Sequence, residues 1–330
     1  MTFSYLTMKW VSSLSYIALS ASCGLIIAGC GQIAEYSTPK KTAATARSAA
    51  AKKADDAFWT TFHGGQYDRI SDALEAETGA YLADPRDDLT AAHVGWLHMW
   101  RLGERARSAS PPATIAEDAL LARRYFEEAS MLNPDEARYK GFLAASTLAD
   151  GAINQNERIS VHGYFEMKSA IRAWPEFNLF TAGYALSGQP AKSKQYTEAL
   201  EWQWRDIDAC IEARLSRENP DMRPYMHLET RKGRKRACWN SWIAPHNFEG
   251  FFLNLGDMLV KAGNVSAARQ AYADARLSST YAQWPFRANL ETRSRGAAAN
   301  VAAFNAPRSD PARSAIMVES PFACMACHQQ

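Results

Sequence analysis

The chain has 330 residues, 47% apolar and 22% charged, a soluble globular composition able to bury a sizeable core in one elongated domain or two compact ones. Thirty-seven Lys and Arg stand against 35 Asp and Glu, and a net charge of +2 argues against nucleic acid as a partner. Ten Trp and 13 Tyr supply large flat groups for packing between helices or against a cofactor.

Residues 1–29 read as a targeting segment rather than as fold. Lys9 supplies a positive n-region, and Trp10 to Ala28 form an uncharged, mostly apolar run. The run closes on Ile27-Ala28-Gly29-Cys30, which resembles the bacterial lipobox. That resemblance implies cleavage before Cys30 and a diacylglycerol on its thiol. An uncleaved membrane anchor is the alternative, since the run reaches roughly the 18 residues needed to span. Gly31 stands where an acidic residue would, by family analogy, retain the protein at the inner membrane. The resemblance therefore favours the periplasmic face of the outer membrane. Met8, beside Lys9, is an alternative start to Met1.

Residues 30–56 are rich in Ala, Lys, Thr and Ser, with Lys40-Lys41 and Lys52-Lys53 and almost no large apolar groups. They are expected to form a solvated tether, partly helical, that lets the folded part stand off a lipid surface.

Residues 57–295 carry a helical pattern nearly throughout, with apolar residues recurring at three and four. Ala92 to Glu104, Glu117 to Leu132 and Phe248 to Ala262 each run long enough for a helix. Breakers at Pro111-Pro112, Asn133-Pro134, Asn219-Pro220 and Trp284-Pro285 separate such segments. The pattern predicts an all-α fold, a stack of helix pairs. The acid pairs Asp55-Asp56, Asp87-Asp88 and Glu127-Glu128 face different directions on a helix and read as solvated surface.

Phe252, Leu255, Gly256, Leu259, Gly263, Ala268, Tyr272 and Ala275 form one unit that resembles the tetratricopeptide repeat position for position. Gly256 and Ala268 are small where two antiparallel helices approach, and Gly263 ends the first of them. Thr280 stands where the family closes on Pro, so a lengthened turn is expected. Ala122, Phe126, Ala129 and Pro134 match the second helix of another unit. Their spacing is not a multiple of the family's roughly 34-residue period. The resemblance implies an irregular tetratricopeptide-like helical-hairpin superhelix. Between the matches, Arg231-Lys-Gly-Arg234-Lys-Arg236 reads as a solvated basic loop, or else as a docking patch for an acidic partner.

Residues 296–330 are expected to form a tail over the helical body. Two residues before its end it carries Cys324-Met-Ala-Cys327-His328, the Cys-x-x-Cys-His signature of c-type haem attachment. The two thiols form thioethers to haem vinyl groups in such sites, and His328 is the expected proximal iron ligand. The distal ligand is open among His246, Met317, His162 and His93, or the site is left free for a small ligand. Competing readings are a redox Cys-x-x-Cys, which lacks its β-α-β context, a zinc site, which lacks a partner pair, and a simple disulfide. Cys23 leaves with the signal, Cys30 is lipidated and Cys324 with Cys327 hold haem, so Cys210 and Cys238 remain to pair in an oxidising compartment.

The sequence has no His-Glu-x-x-His helix, no phosphate-binding Gly loop and no Gly-x-Ser-x-Gly elbow, and nothing in it argues for an enzyme. The expectation is a lipid-anchored monohaem c-type cytochrome passing electrons between periplasmic redox proteins, with the repeats as partner-binding scaffold. The alternatives are a non-redox scaffold lipoprotein serving an envelope complex, its terminal cysteines disulfide-bonded, and a haem peroxidase or small-ligand sensor.

Overall fold

The computed structural model describes residues 41–107, 110–239 and 247–307, with isolated positions at 37, 39, 310, 313, 314 and 316. Two units separate as Met1–Thr42 and Ala43–Gln330; only Ser37, Pro39, Lys41 and Thr42 of the first are described, and the fold is that of the second.

Among the described residues the protein is all-α. Twelve helices follow in order: α1 (Ala49–His63), α2 (Ile70–Ala83), α3 (Asp88–Gly103), α4 (Glu117–Leu132), α5 (Ala137–Ile153), α6 (Glu157–Ala173), α7 (Pro175–Leu186), α8 (Lys194–Ile211), α9 (Phe248–Lys261), α10 (Val265–Ala275), α11 (Arg287–Arg295) and α12 (Ala297–Asn305). From α1 to α8, and again at α9 with α10, each helix packs on its neighbour in sequence. That is the hairpin arrangement the sequence predicts. No helix among the described residues is long and apolar enough to cross a membrane.

Helix starts follow local chemistry. The side chains of Ser48, Asp87, Asn156, Ser193, Asn247 and Asn264 each accept a hydrogen bond from a backbone N–H of the first turn. Pro175 opens α7, where its missing N–H is harmless. Helix α9 closes on Gly263 at φ +87°. The Gly263 N–H bonds to the Val260 carbonyl at 2.8 Å and the Asn264 N–H to the Leu259 carbonyl at 2.9 Å, a paired cap that a Cβ would strain.

Every residue of α9 is buried. Its apolar residues except Met258 pack in one cluster with α10, α12 and the end of α8, while Met258 packs with Tyr196 and Trp202. Lys261 Nζ donates to the Ser187 and Gln189 carbonyls, both at 2.7 Å, and lies over the Tyr196 ring. Glu249 Oε1 accepts from the hydroxyls of Ser278 at 2.5 Å and Thr280 at 2.6 Å. Thr280, in place of the expected proline, thus anchors the connection to α9, and a short 3₁₀ turn, Tyr281–Gln283, lengthens it.

The helical body extends beyond the expected limits at both ends. Helix α1 begins within the expected tether and buries Ala51, Ala54 and Phe58. Helix α12 lies in the expected tail. It buries Ala297 and Phe304, and Asn305 Nδ2 donates to the Lys261 carbonyl at 2.9 Å. Alanine-rich composition reads as linker, but here the small side chains let helices sit close to their neighbours.

Candidate functional site

Three consecutive helices each contribute one ionisable side chain to a common point. Glu77 lies on the apolar stripe of α2 with Ile70, Ala73, Leu74 and Ala80. His93 occupies the inward face of α3, and Asp55 projects from α1. The His93 Nδ1 atom stands 2.9 Å from Glu77 Oε1 and 3.0 Å from Asp55 Oδ1. His93 and Glu77 are fully buried, whereas Asp55 keeps partial access to solvent.

Arg47, just before α1, closes the network. Its Nη1 and Nη2 engage both oxygens of Asp55, Nε donates to Asp87 Oδ2 at 2.8 Å, and Nη2 donates to Thr90 Oγ1 at 2.9 Å. Asp87 is itself the cap of α3, accepting from the Thr90 N–H at 3.1 Å. Asp55 and Asp87 are therefore not solvated surface. Adjacency along a helix says which way an acid points, and here it points at a cation 40 residues away for Asp87 and eight for Asp55.

The electrostatics follow from burial and partners. Burial opposes charging the His93 ring, but its bonds to Asp55 and Glu77 prevail and raise its pKa. Burial likewise opposes ionising Asp55, yet His93 and Arg47 hold it below the usual carboxylate range. For Glu77 burial wins over His93, and its pKa is raised. The Phe58 ring stacks on His93 with centroids 3.8 Å apart, while Trp59 and Trp96 stand at 5.6 and 5.8 Å. Glu77 Oε2 and His93 Nε2 are buried with no hydrogen-bond partner among the described residues.

A smaller pairing lies further along α3. His98 Nδ1 stands 2.7 Å from Asp118 Oδ1, Arg101 Nε donates to Asp118 Oδ2 at 3.1 Å, and the Tyr125 ring stacks on the imidazole. Its acid is satisfied by two partners, and it reads as a brace between α3 and α4.

Of the residues the sequence singles out, Cys30, His246, Met317, Cys324, Cys327 and His328 lie outside the described residues. His93 is committed through Nδ1 to two carboxylates. His162 is exposed on α6, with Nε2 3.2 Å from Glu166 Oε1. These two candidates sit on different helices with different neighbours. Cys210 and Cys238 form a disulfide, Cα atoms 5.7 Å apart, joining the end of α8 to the 3₁₀ turn Arg234–Cys238. The basic run is held against the body. Arg234 donates to the Ala173 carbonyl at 2.8 Å, Arg236 lies 4.7 Å over the Trp174 ring and Lys235 pairs with Glu212 at 2.5 Å. Such contacts fit a pinned loop better than a docking patch.

The sequence reading missed the Asp55–Glu77–His93 cluster. A signal for it exists: an acid and an imidazole each interrupt the apolar stripe of a helix, and buried charges demand partners. No family model, curated protein or solved structure shows a significant match to this chain.

Proposed function

We propose that the protein is a lipid-anchored monohaem c-type cytochrome that passes single electrons between periplasmic redox partners, held by Cys30 at the periplasmic face of the outer membrane. The observation that carries this reading is Cys324-Met-Ala-Cys327-His328. The Cys210–Cys238 pairing supports it, because it takes two thiols out of competition and leaves Cys324 and Cys327 for another chemistry. The donor set of two thiols and one imidazole fits covalent haem c. When bound, haem supplies a one-electron iron couple. Cys324 and Cys327 would hold the group to the chain through thioethers, and His328 would ligate its iron. The helical hairpins then serve as the surface on which redox proteins or an envelope complex are recognised.

The test is a pyridine haemochrome spectrum and a redox-stained gel on protein made alongside a haem-attachment system. One covalent haem per chain is expected. Protein that carries none, with a mass two hydrogens light for a second disulfide, overturns the cytochrome reading in favour of a scaffold lipoprotein.

A further inference from the structure

The Asp55–Glu77–His93 cluster has the geometry of a coordination site. Donors that are neighbours around an octahedral ion with bonds of about 2.1 Å stand about 3.0 Å apart. The His93 Nδ1 separations from Glu77 Oε1 and Asp55 Oδ1 are 2.9 and 3.0 Å, and the three donor atoms lie within 4.8 Å of one another. Three helices hold them, so the positions are set by the fold rather than by loops.

Charge and unmet bonding capacity point the same way. Glu77 is fully buried, with its carboxylate turned into the cluster and Oε2 unpartnered. Its Oε1 shares the His93 ring with Asp55, so no cation is its own. Arg47 is shared between Asp87 and Asp55, so one cation answers two acids. Asp55, Asp87 and Glu77 thus share a single fixed cation, Arg47, and a dication that displaces the His93 ring proton balances the two acids left over. Arg47 grips both Asp55 oxygens, with Nη2 on Oδ1 at 3.0 Å, and so fixes the carboxylate with Oδ1 also facing His93. Asp55, the one ligand with solvent access, supplies the route in.

We infer that Asp55, Glu77 and His93 form a binding site for a divalent first-row metal ion of the manganese, iron or zinc class, separate from any haem. One imidazole with two carboxylates favours these ions over magnesium and calcium, which prefer all-oxygen shells, and over copper(I), which prefers sulfur. The ion ties α1, α2 and α3 together at the N-terminal end of the body. The inference is independent of haem attachment.

The full-length protein, stripped with a chelator, is titrated with Mn²⁺ and read by loss of the six-line room-temperature resonance of the aquo ion. Calorimetry with Zn²⁺ runs in parallel. One ion per chain is expected. Glu77→Gln and Asp55→Asn should each weaken binding by at least the roughly 10–100-fold seen on losing a supporting group, while His162→Ala, on the exposed face of α6, should leave it unchanged. Circular dichroism establishes that each variant is folded. Should Glu77→Gln not fold, Asp55→Asn at the partly exposed position carries the comparison. An undiminished aquo signal in the unsubstituted protein, or Asp55→Asn binding as tightly as the unsubstituted chain, overturns the assignment.

Discussion

The Tyr272 ring lies across Gly256, so that a Cβ at position 256 would run into its Cε1 and Cδ1 atoms, and its hydroxyl donates to Asp257 Oδ1 at 2.6 Å. Helices α9 and α10 can approach only because residue 256 has no side chain. The Tyr272 ring is buried and cannot swing aside without breaking its bond to Asp257. Gly256→Ala is therefore expected to destabilise the fold by about 1–3 kcal/mol through overpacking, despite the better helix propensity of alanine. Urea unfolding followed by circular dichroism measures this; an unchanged or raised midpoint would contradict the tight contact.

Stability should fall as pH rises through the weakly acidic range. Burial pushes the Asp257 carboxyl up to about 7, against the opposing influence of Arg293 and Tyr272. Asp274, which accepts the Met222 N–H at 3.0 Å, is likewise pushed by burial up to about 7. Unfolded, both ionise near about 4. Between those values the folded chain binds more protons than the unfolded one, so each group lowers stability by up to about 1.4 kcal/mol per pH unit. The neutral isostere Asp257→Asn should flatten the pH dependence of the urea midpoint across that window. A slope equal to that of the unsubstituted protein would refute the assignment.

Reduction should loosen the second half of the body. The Cys210–Cys238 bridge spans a sequence separation of 28 and pins the connection between α8 and α9. Closing such a loop restricts the unfolded chain by about 3–4 kcal/mol in the simple entropic account. Replacing both cysteines by serine is expected to lower the unfolding free energy by that order, and a reductant should have no further effect on the double variant.

A third joint rests on one amide. Asn178, fully buried on α7, donates from Nδ2 to the Ala137 carbonyl at 3.0 Å and the Ala170 carbonyl at 2.9 Å. It ties the start of α5 to the end of α6. Asn178→Ala leaves those carbonyls without the donor and should cost about 2–3 kcal/mol. Hydrogen exchange should show the loss as faster opening of α5 and α7, with α9 unaffected.

Much of this body is legible in the sequence because its rules are local. Prolines and capping side chains mark where helices begin, and Gly256, Gly263 and Ala268 mark where two of them touch and turn. The cysteine pairing follows from counting thiols. The ionic cluster is less accessible, since a helical pattern gives the face of a residue but not what stands opposite. Nothing local tells Glu77 that His93 faces it from the next helix. Lys261 is similar: a lysine near a helix end reads as solvated, and only the fold brings the Ser187 and Gln189 carbonyls to it. Positions 49–56 and 297–305 look like linker because alanine contributes little to an apolar pattern, yet in a close-packed helix that smallness is what permits docking.

The reach of Arg47 also decides where the polypeptide can be shortened. A fragment begun at residue 57 keeps every large aromatic side chain of α1, yet it removes Arg47 and Asp55 together. Asp87 would then keep its place beneath Thr90 with no cation facing it, and His93 would lose one of its two carboxylates. The largest N-terminal cut that respects this arrangement falls before Arg47, ahead of the first large apolar side chain of α1.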